Sequence, residues 1–310
     1  MIETILIFWS STFQNAFDRV AYKRLLVKLE YYGIRDLVLA WIKAWPIGRT
    51  QQVALQGEFS EKSCMRSGVP QGTLLGPLCF LLFVNDIGND ITWNIKLFAD
   101  DTLLYGLVHN SDDAISLQSD LDKLVEWAKL WQMAFNPLKC YVLRVCRTKC
   151  PFIHPYTMLG HTLQAVDHYP YLGVSLSENL NWKPHILNIT NKANSTLGFV
   201  KRNLHHWPQK VKDQAYKSLV RPRLEYGCTV WDPYRAYQKS WLEQVQRRAT
   251  RFVTRTYTRG EGCVTNALKL LNWPTVEKRR QVARLTLMYK CVTNQAAIDI
   301  LSYVHHQSSL

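Results

Sequence analysis

The 310-residue sequence predicts an α+β fold followed by an all-helical region, and two observations support that prediction. Up to about residue 180, short strand-like apolar runs alternate with longer segments whose apolar residues recur at helical spacing. From Lys183 onward the pattern is wholly helical and is punctuated by Pro208, Pro222, Pro233 and Pro274. Because 47% of the residues are hydrophobic, the chain can bury a substantial core, and we expect two units, residues 1–180 and 181–310.

The first unit is expected to begin with a strand at residues 5–9, an apolar run far too short to span a bilayer. Apolar residues then follow a period near 3.6 across residues 18–45 and predict two helices broken at Gly33. Residues 51–66 predict a short strand pair with a turn at Gly57. Residues 77–86 are almost continuously apolar, which predicts a buried helix.

The rest of this unit repeats the alternation of strand and helix. A hairpin over residues 95–105 precedes a long helix over residues 112–131, for which Ser111 is the expected cap. A strand at residues 141–145 follows, and residues 156–174 are expected to hold two or three short strands. Strands interleaved with helices over a single antiparallel sheet are typical of the α+β class.

Two adjacent aspartates, Asp100 and Asp101, lie at the tip of the predicted hairpin, inside an otherwise apolar run. A turn that holds two like charges close together is destabilised unless a cation binds there. Aspartate is also a common residue of solvated turns. The pair by itself therefore leaves two interpretations open, an ordinary turn or a cation site.

A second feature lies about thirty residues upstream, in the loop over residues 67–77. Gly68, Pro70 and Gly72 fix a backbone that is neither helix nor strand ladder, and Pro77 is placed as the first-turn proline of the next helix. Taken alone, a Gly- and Pro-rich loop before a helix is more often a plain connection than a site.

Taken together, Ser-Gly-Val-Pro-Gln-Gly at 67–72 and Phe-Ala-Asp-Asp at 98–101 resemble the reverse transcriptases of non-LTR (LINE-type) retrotransposons, particularly the jockey-like branch. The resemblance covers residues 12 to about 255. Further segments match in order: Ala-Phe-Asp-Arg-Val at 16–20, Tyr-Tyr-Gly-Ile at 31–34, Trp-Ile-Lys at 41–43, Arg-Thr-Gln at 49–51, Trp-Gln-Met-Ala-Phe-Asn-Pro-Leu-Lys-Cys at 131–140 and Tyr-Leu-Gly-Val at 171–174.

This resemblance implies a fold. Residues 1–180 would form a reverse-transcriptase-like palm, an antiparallel sheet with packed helices. Most of the fingers subdomain is expected to be missing, because the family places it upstream of the first catalytic segment. Residues 181–310 would form an all-helical thumb and C-terminal region.

One residue departs from the family pattern. The first catalytic segment of the family reads Asp-Phe-Ser-Lys-Ala-Phe-Asp, and its leading aspartate joins the hairpin pair in holding two magnesium ions. Here the segment runs from residue 12 to residue 18, and Thr12 occupies the leading position. A neutral hydroxyl is a poor substitute for a bridging carboxylate. Asp18, six residues on, is expected to cap a helix or pair with Arg19 rather than replace the lost ligand.

The remaining site residues are also carried over by resemblance. Asp100 and Asp101 would be the surviving catalytic metal ligands, and Lys139 would protonate the departing pyrophosphate, although a plain surface lysine is an equal alternative. Nucleotide binding would involve the Phe13 carbonyl, the Phe17 ring, Pro70, Gln71 and Gly72. The segment Tyr171, Leu172 and Gly173 resembles the hairpin that grips the primer end.

The charge distribution points to a nucleic-acid partner. Residues 1–180 carry 16 Lys and Arg against 17 Asp and Glu, whereas residues 181–310 carry 22 against 7, so the net +14 divides into −1 and +15. Basic residues recur at near-helical spacing at 247, 248, 251, 255 and 259 and again at 278–280 and 284. We interpret this excess as a nucleic-acid backbone footprint, against the alternative of a solvated helix face. The five C-terminal tryptophans, Trp182, Trp207, Trp231, Trp241 and Trp273, are expected to be core and hairpin anchors rather than base-stacking platforms.

The expected function is templated nucleotidyl transfer, an RNA-directed DNA polymerase that is inactive or severely impaired because of Thr12 and the missing fingers. The alternative is a non-catalytic nucleic-acid-binding module that uses the basic C-terminal helices. Weakly bound Mg²⁺ and dNTP substrate, an RNA template and a DNA primer would be the partners, with no membrane and no small-molecule cofactor. The eight cysteines form no regular framework and no export signal is present, so we expect an intracellular protein of nucleus or cytoplasm that is not secreted.

Overall fold

A computed structural model describes residues 6–13, 16–146, 153–257, 260 and 262–298. The chain divides into two compact units. The first runs to Tyr169 and includes Ser177–Leu180, and the second combines Pro170–Leu176 with the chain from Asn181 onward. The α+β class predicted for the first part is confirmed by its mixture of sheet and helix, and the described residues after 182 are helical or connecting.

A five-stranded sheet organises the first unit, in the order β11-β8-β1-β7-β6. Its strands are β1 (Leu6–Thr12), β6 (Asn94–Phe98), β7 (Asp101–Tyr105), β8 (Tyr141–Val145) and β11 (Gln164–Val166). Three of the four pairings are antiparallel, but β11 runs parallel to β8. The prediction of a purely antiparallel sheet is therefore wrong at this edge. A long connection between β8 and β11 leaves room for the chain to return in the same direction.

The described residues also form four short strand pairs outside this sheet. Gly57, with a φ of +93°, makes the predicted turn between β3 (Ala54–Leu55) and β4 (Glu58–Phe59). The predicted single pair there is two, since β2 (Thr50–Gln51) pairs with β5 (Ser63–Cys64). Residues 156–174 are also richer in strands than expected, with β9 (Thr157–Met158), β10 (His161–Thr162) and β12 (His168–Tyr171), which pairs with β13 (Val174–Ser177).

The helices of the first unit pack their apolar residues into one core. They are α1 (Ala16–Arg19), α2 (Tyr22–Tyr31), α3 (Asp36–Ala44), α4 (Leu75–Val84) and α5 (Ser111–Trp131). The predicted break at Gly33 is confirmed, with a φ of +86°. The predicted cap of α5 is wrong: Asn110 accepts a 2.9 Å hydrogen bond from the Asp113 backbone N–H, and Ser111 is the first helical residue. The core joins Leu29, Phe80, Phe83, Leu104 and Leu117, all fully buried.

The second unit is built from helices around its own core. They are α6 (Lys183–Asn203), α7 (Gln209–Ala215), a π-helical turn at Tyr216–Val220, α8 (Arg221–Glu225), α9 (Cys228–Trp231), α10 (Ala236–Thr254), α11 (Cys263–Leu270) and α12 (Val276–Val292). Trp231 and Trp273 are core residues as predicted, and Trp182 and Trp241 pack against the core, but Trp207 is 53% exposed. Among the helices of the described ranges, none is long and apolar enough to cross a membrane.

Candidate active site

The aspartate pair lies where two neighbouring strands of the central sheet meet. Phe98 at the end of β6 pairs with Asp101 at the start of β7, so only Ala99 and Asp100 form the turn. Asp101 is thus the first residue of a strand rather than part of the turn. Ala99 has a φ of +52°, the left-handed backbone region that tight hairpin turns require and that residues with a Cβ rarely adopt. The turn holds the two carboxylates side by side at the end of the sheet.

The electrostatics of this pair are unfavourable in the absence of a counterion. Asp100 and Asp101 are both half-buried. Burial raises the pKa of the Asp101 carboxyl above its usual range, and the neighbouring charge of Asp100 raises it further. A cation at this point would relieve both effects, so the chemistry of the hairpin tip favours a bound cation.

Position 12 lies directly beside the pair. Thr12, the last residue of β1, is opposite Asp101 in the antiparallel register of β1 and β7. Opposed residues of antiparallel strands have Cα atoms about 4.5–5.5 Å apart. The backbone therefore places position 12 where a carboxylate could share a cation with Asp101, and the sequence has threonine there.

The magnesium that the family resemblance implies can be tested against these donors. Two adjacent carboxylates, completed by water and substrate phosphate oxygens, suit the octahedral coordination of one Mg²⁺. A bridged pair of ions about 3.5–4 Å apart needs a further anionic ligand. Across the part of the chain that the structure describes, no three His, Cys, Asp or Glu side chains are grouped as metal ligands. The residues present fit a single ion better than a bridged pair.

Asp18, the acid nearest in sequence to the lost ligand, is committed elsewhere. It lies inside α1, so the expectation that it caps a helix is wrong. Its Oδ1 accepts a 3.1 Å hydrogen bond from Nε2 of Gln71. The carboxylate therefore joins α1 to the Pro-Gln-Gly loop.

The Pro-Gln-Gly loop is held against the segment that follows β1. The Gly68 and Val69 backbone N–H groups donate to the Val20 and Phe17 carbonyls at 2.9 and 2.7 Å. The Ser67 hydroxyl donates to the Asp18 carbonyl at 2.7 Å. Gly68 has a φ of +94°, and a Cβ there would lie 2.7 Å from the Asp18 Cα. Only glycine allows this close approach, which explains its place in the motif.

The same loop leads into α4 through a contact that the sequence reading did not identify. The Thr73 hydroxyl donates to the Pro70 carbonyl at 2.8 Å and accepts from the Gly76 backbone N–H at 3.1 Å. A Cβ at Gly76 would lie 2.2 Å from the Pro70 carbonyl oxygen, so glycine is required there too. Gln71 and Gly72 remain exposed beyond Pro70, which is buried. Thr73 and Gly76 thus fix the direction in which these exposed residues are presented.

Two aromatic residues support the start of the site. The half-buried Phe17 ring stacks on Phe80 of α4 with ring centroids 4.6 Å apart. Phe13 is buried, stacks on Phe135 at 4.5 Å and pairs with it through the backbone. Lys139 is exposed at the end of a short 3₁₀ turn, Pro137–Lys139, shortly after Phe135. Its role in proton transfer stays a prediction.

The Tyr171, Leu172 and Gly173 segment forms the turn between β12 and β13. Leu172 and Gly173 have φ values of +46° and +81°, the two positive values that a two-residue type I′ turn requires. The Tyr226 hydroxyl donates to the Leu172 carbonyl at 3.0 Å, and a Cβ on Gly173 would lie 3.1 Å from the Tyr226 ring. Tyr226 was not predicted as a site residue, because it lies more than fifty residues downstream and belongs to no motif.

Two buried charged groups of the first unit were also missed. Asp120 on α5 is fully buried and accepts hydrogen bonds from the Thr92 backbone and hydroxyl, the Trp93 backbone N–H and the Lys123 ammonium, at 2.7–2.9 Å. Lys28 is buried against Asp86, with its ammonium 3.7 Å from the Trp131 ring centroid. Burial lowers the pKa of Lys28 to about 8, although Asp86 opposes that shift. These groups stabilise the helices around the sheet.

The basic helices divide into two groups. On α10, Arg247 and Arg248 are exposed, and Arg248 donates to the Asn194 side chain at 3.1 Å. On α12, in contrast, three arginines are engaged by acids: Arg279 with Glu225, and Arg280 and Arg284 with Asp232. Three of the four basic residues in the α12 cluster are therefore already paired with acids of the same unit. Arg259 lies outside the described residues.

Comparison with known proteins gives a consistent result. Residues 7–176 match the family model for reverse transcriptase (RNA-dependent DNA polymerase). The chain is 29% identical over 300 residues to the probable RNA-directed DNA polymerase from transposon BS of Drosophila melanogaster, covering 89% of this chain and 31% of that protein.

Two further relatives extend the comparison. The chain is 31% identical over 249 residues to the RNA-directed DNA polymerase from mobile element jockey of Drosophila melanogaster, covering 75% of this chain and 26% of that protein. It is 26% identical over 236 residues to the retrovirus-related Pol polyprotein from type-1 retrotransposable element R2 of Popillia japonica, covering 69% and 37%. The chain thus spans between 26% and 37% of the length of these three curated relatives.

Proposed function

The chain belongs to the reverse transcriptase (RNA-dependent DNA polymerase) family, and from that premise we propose that it is a non-LTR retrotransposon polymerase domain with a crippled catalytic centre. The observation that carries this proposal is the register of β1 and β7, in which Thr12 is opposite Asp101. A hairpin with two carboxylates faces a strand that supplies no third one. The proposal depends on residue 12 and not on where the chain begins.

In the proposed reaction the primer 3′-hydroxyl attacks the α-phosphate of an incoming dNTP on an RNA template. Magnesium would supply charge neutralisation and activation of that hydroxyl, and Asp100 and Asp101 are the residues that would hold it. Phe17, fixed by its stack on Phe80, would support the sugar of the nucleotide. Gln71 and Gly72 would lie along the nucleotide and template side, presented by the loop that Thr73 and Gly76 fix.

Other residues of the chain would act on the metal, on the leaving pyrophosphate and on the primer end. Phe13 would offer its backbone carbonyl near the metal ligands, and its buried ring keeps that part of the backbone in place. Lys139 would donate a proton to the departing pyrophosphate. The turn at Tyr171, Leu172 and Gly173 would hold the primer end, with Tyr226 bracing it through the Leu172 carbonyl.

The size of the defect can be estimated. Loss of a single neutral donor to a developing oxyanion costs about 3 kcal/mol or more, on the order of a thousandfold in rate. The absent group at position 12 would carry a full charge and would contact a metal, so we expect at least that loss. Synthesis by the natural chain should therefore be at or below detection.

Primer extension on an RNA template with magnesium tests the proposal. The natural chain is compared with Thr12→Asp and with Thr12→Asn, which has the shape of aspartate but no charge. We expect extension by Thr12→Asp only, and its loss when Asp101→Asn is added. Robust synthesis by the natural chain would overturn the proposal. Inactivity of every variant, with dNTP and template binding intact, would show that the defect lies elsewhere than residue 12.

A second candidate function is a non-catalytic nucleic-acid-binding module. The observation that favours it is the pair of exposed arginines on α10, within a region of net charge +15. Each phosphate contact contributes about 0.9 to the slope of log affinity against log salt. We therefore expect Arg247→Gln with Arg248→Gln to reduce that slope by about 2. A matched control is Lys43→Gln with Lys62→Gln, two exposed lysines of the first unit.

Filter binding across a salt series separates the outcomes. Loss of slope in the α10 variant but not in the control supports the binding module, and no RNA or DNA affinity at low salt rules it out. An intracellular location, in nucleus or cytoplasm and not secreted, stays part of the proposal and rests on the cysteine usage of the sequence. The absence of a small-molecule cofactor is likewise an expectation.

A further inference from the structure

A small cavity in the second unit is lined by cations and aromatic rings. Its volume is about 210 Å³. The residues that line it are His205, His206, Lys212, Phe252, Arg255 and Tyr257. Lys212 and Arg255 are cationic side chains and two further residues are histidines, and none of the lining residues that the structure describes is acidic. This composition is that of an anion site.

Lys212 is the most informative member of this lining. Its side chain is only 1% exposed. Its ammonium lies 4.9 Å from the centroid of the Phe252 ring, and Lys212 takes part in none of the salt bridges among the described residues. Burial lowers the pKa of this lysine, and the charge of Arg255 lowers it further. Burying a charge without a partner is unfavourable, so an opposite charge at this position would stabilise the fold.

The other buried lysine and the buried arginine among the described residues each have an acidic partner. Lys28 is paired with Asp86, and Arg280 with Asp232. The described residues around Lys212 instead add the positive charge of Arg255. Lys212 therefore differs from Lys28 and Arg280 in having no acidic partner among the described residues, and an anionic ligand would supply one.

Arg255 is held across the same cavity. It follows α10 with a φ of +56°, a left-handed conformation that residues with a Cβ rarely adopt. Its Nη2 lies 3.3 Å from the His205 carbonyl and 3.5 Å from the His206 carbonyl. These contacts fix the loop that carries the two histidines and place the guanidinium beside the cavity. The left-handed backbone at Arg255 thus occurs where its guanidinium lines the cavity.

We propose that this cavity binds a terminal phosphate group, either inorganic phosphate or a phosphomonoester. A phosphomonoester carries close to two negative charges at pH 7 and three strong acceptor oxygens, which match a lysine, an arginine and two imidazoles arranged around one space. Arginine suits such groups because its fork donates two hydrogen bonds at once. The lining residues that the structure describes belong to the second unit, so the proposal does not rest on the polymerase function.

Binding of inorganic phosphate to the full chain tests the proposal. Thermal unfolding and ³¹P NMR are measured in phosphate and in chloride at equal ionic strength, so that screening is constant. The variant is Lys212→Met, which keeps the buried stem but removes the charge. The matched control is Lys210→Met, an exposed lysine of the same helix that does not line the cavity.

We expect phosphate to stabilise the natural chain and Lys210→Met against thermal unfolding. Its affinity for Lys212→Met should be lower by about tenfold or more, because one charged hydrogen bond is lost. Equal phosphate binding by all three chains, or no binding by the natural chain, would overturn the proposal. If Lys212→Met does not fold, Arg255→Gln gives the same test at an exposed side chain.

The source of the phosphate is distinguished by competition. A 5′-phosphorylated oligonucleotide and its 5′-hydroxyl form are compared as competitors of inorganic phosphate. Competition by the phosphorylated form alone identifies a nucleic-acid end as the ligand. If neither form competes, the ligand is free inorganic phosphate. Equal competition by both forms would contradict a terminal phosphate site, because the shared internal phosphodiesters would then account for binding.

Discussion

Two carboxylates of the first unit, Asp120 and Asp101, show what separates a structural charge from a functional one. Burial alone would raise the pKa of Asp120, yet hydrogen bonds from Lys123, Trp93 and Thr92 hold it below its usual range. The pKa of Asp101 is raised by burial and by Asp100. The charge of Asp120 is compensated by hydrogen bonds from its own protein, whereas the charge of Asp101 is opposed by burial and by a neighbouring like charge.

The largest effect is expected from removing the satisfied carboxylate. Asp120→Ala leaves the Thr92 and Trp93 backbone donors without their acceptor and should lower the free energy of unfolding by about 3–5 kcal/mol. Urea unfolding measures this. Asp122→Ala, an exposed aspartate of the same helix, should stay within about 0.5 kcal/mol of the natural chain. If Asp120→Ala also lowered the free energy of unfolding by less than about 0.5 kcal/mol, the contrast drawn between Asp120 and Asp101 would be contradicted.

A buried histidine tests the same idea with a neutral group. His185 is 1% exposed, and its Nδ1 accepts a 3.1 Å hydrogen bond from the Ser175 backbone N–H. Burial, and then the charge of Lys192, lower its pKa to about 4. As the pH falls, the His185 imidazole is protonated in the unfolded chain before it is protonated in the folded chain. The free energy of unfolding should therefore fall by about 2 kcal/mol between pH 7 and pH 5.

Comparing the natural chain with His185→Gln isolates that contribution. The variant should lose this part of the pH dependence, and His161→Gln, at an exposed position, should keep it. Identical pH profiles for the natural chain and His185→Gln would show that the imidazole is not held neutral by burial.

Removing a charge from the Asp100 and Asp101 pair should stabilise the fold, in contrast to the loss expected for Asp120→Ala. Asp100→Asn removes the charge that raises the pKa of Asp101 and should stabilise the fold by about 1 kcal/mol at pH 7. Because a raised carboxyl pKa destabilises only the ionised form, this gain should vanish near pH 3. Glu61→Gln, exposed and distant in sequence, is the control. A destabilising effect of Asp100→Asn would mean that the pair already has a partner in the protein.

The smallest effect concerns the turn that holds the pair. Ala99→Gly relieves the left-handed backbone at this position but adds flexibility to the unfolded chain. We expect a gain of less than about 0.5 kcal/mol, measured by thermal unfolding. A clear loss of stability would indicate that the Ala99 methyl group makes packing contacts that outweigh the strain.

Local patterns predicted those parts of the molecule that depend on local chemistry. The hairpin, the Gly33 break and the Gly57 turn follow from alternation and from glycine. The parallel pairing of β11 could not be read, because a period of two does not encode the partner strand. The cap of α5 was misplaced by one residue, since Asn110 and Ser111 are equally good caps.

Some residues of the candidate site could be identified from sequence motifs, and others only from contacts in the fold. Motifs identified the residues of the loop and hairpin, but Thr73, Asp120 and Tyr226 act through contacts that no motif records. Arg280 was taken for part of a nucleic-acid face because its partner, Asp232, lies 48 residues away. Sequence spacing shows where charges are, and only the fold shows which of them are already paired.

Manganese binding to the hairpin is the most direct test of the central claim, which is that residue 12 leaves the metal site one acid short. Titration followed by electron paramagnetic resonance compares the natural chain with Thr12→Asp and Thr12→Asn. We predict that Thr12→Asp binds Mn²⁺ more tightly by about tenfold or more and that Thr12→Asn does not, since only a carboxylate adds a charged ligand. Equal affinity in the natural chain and Thr12→Asp would contradict the account.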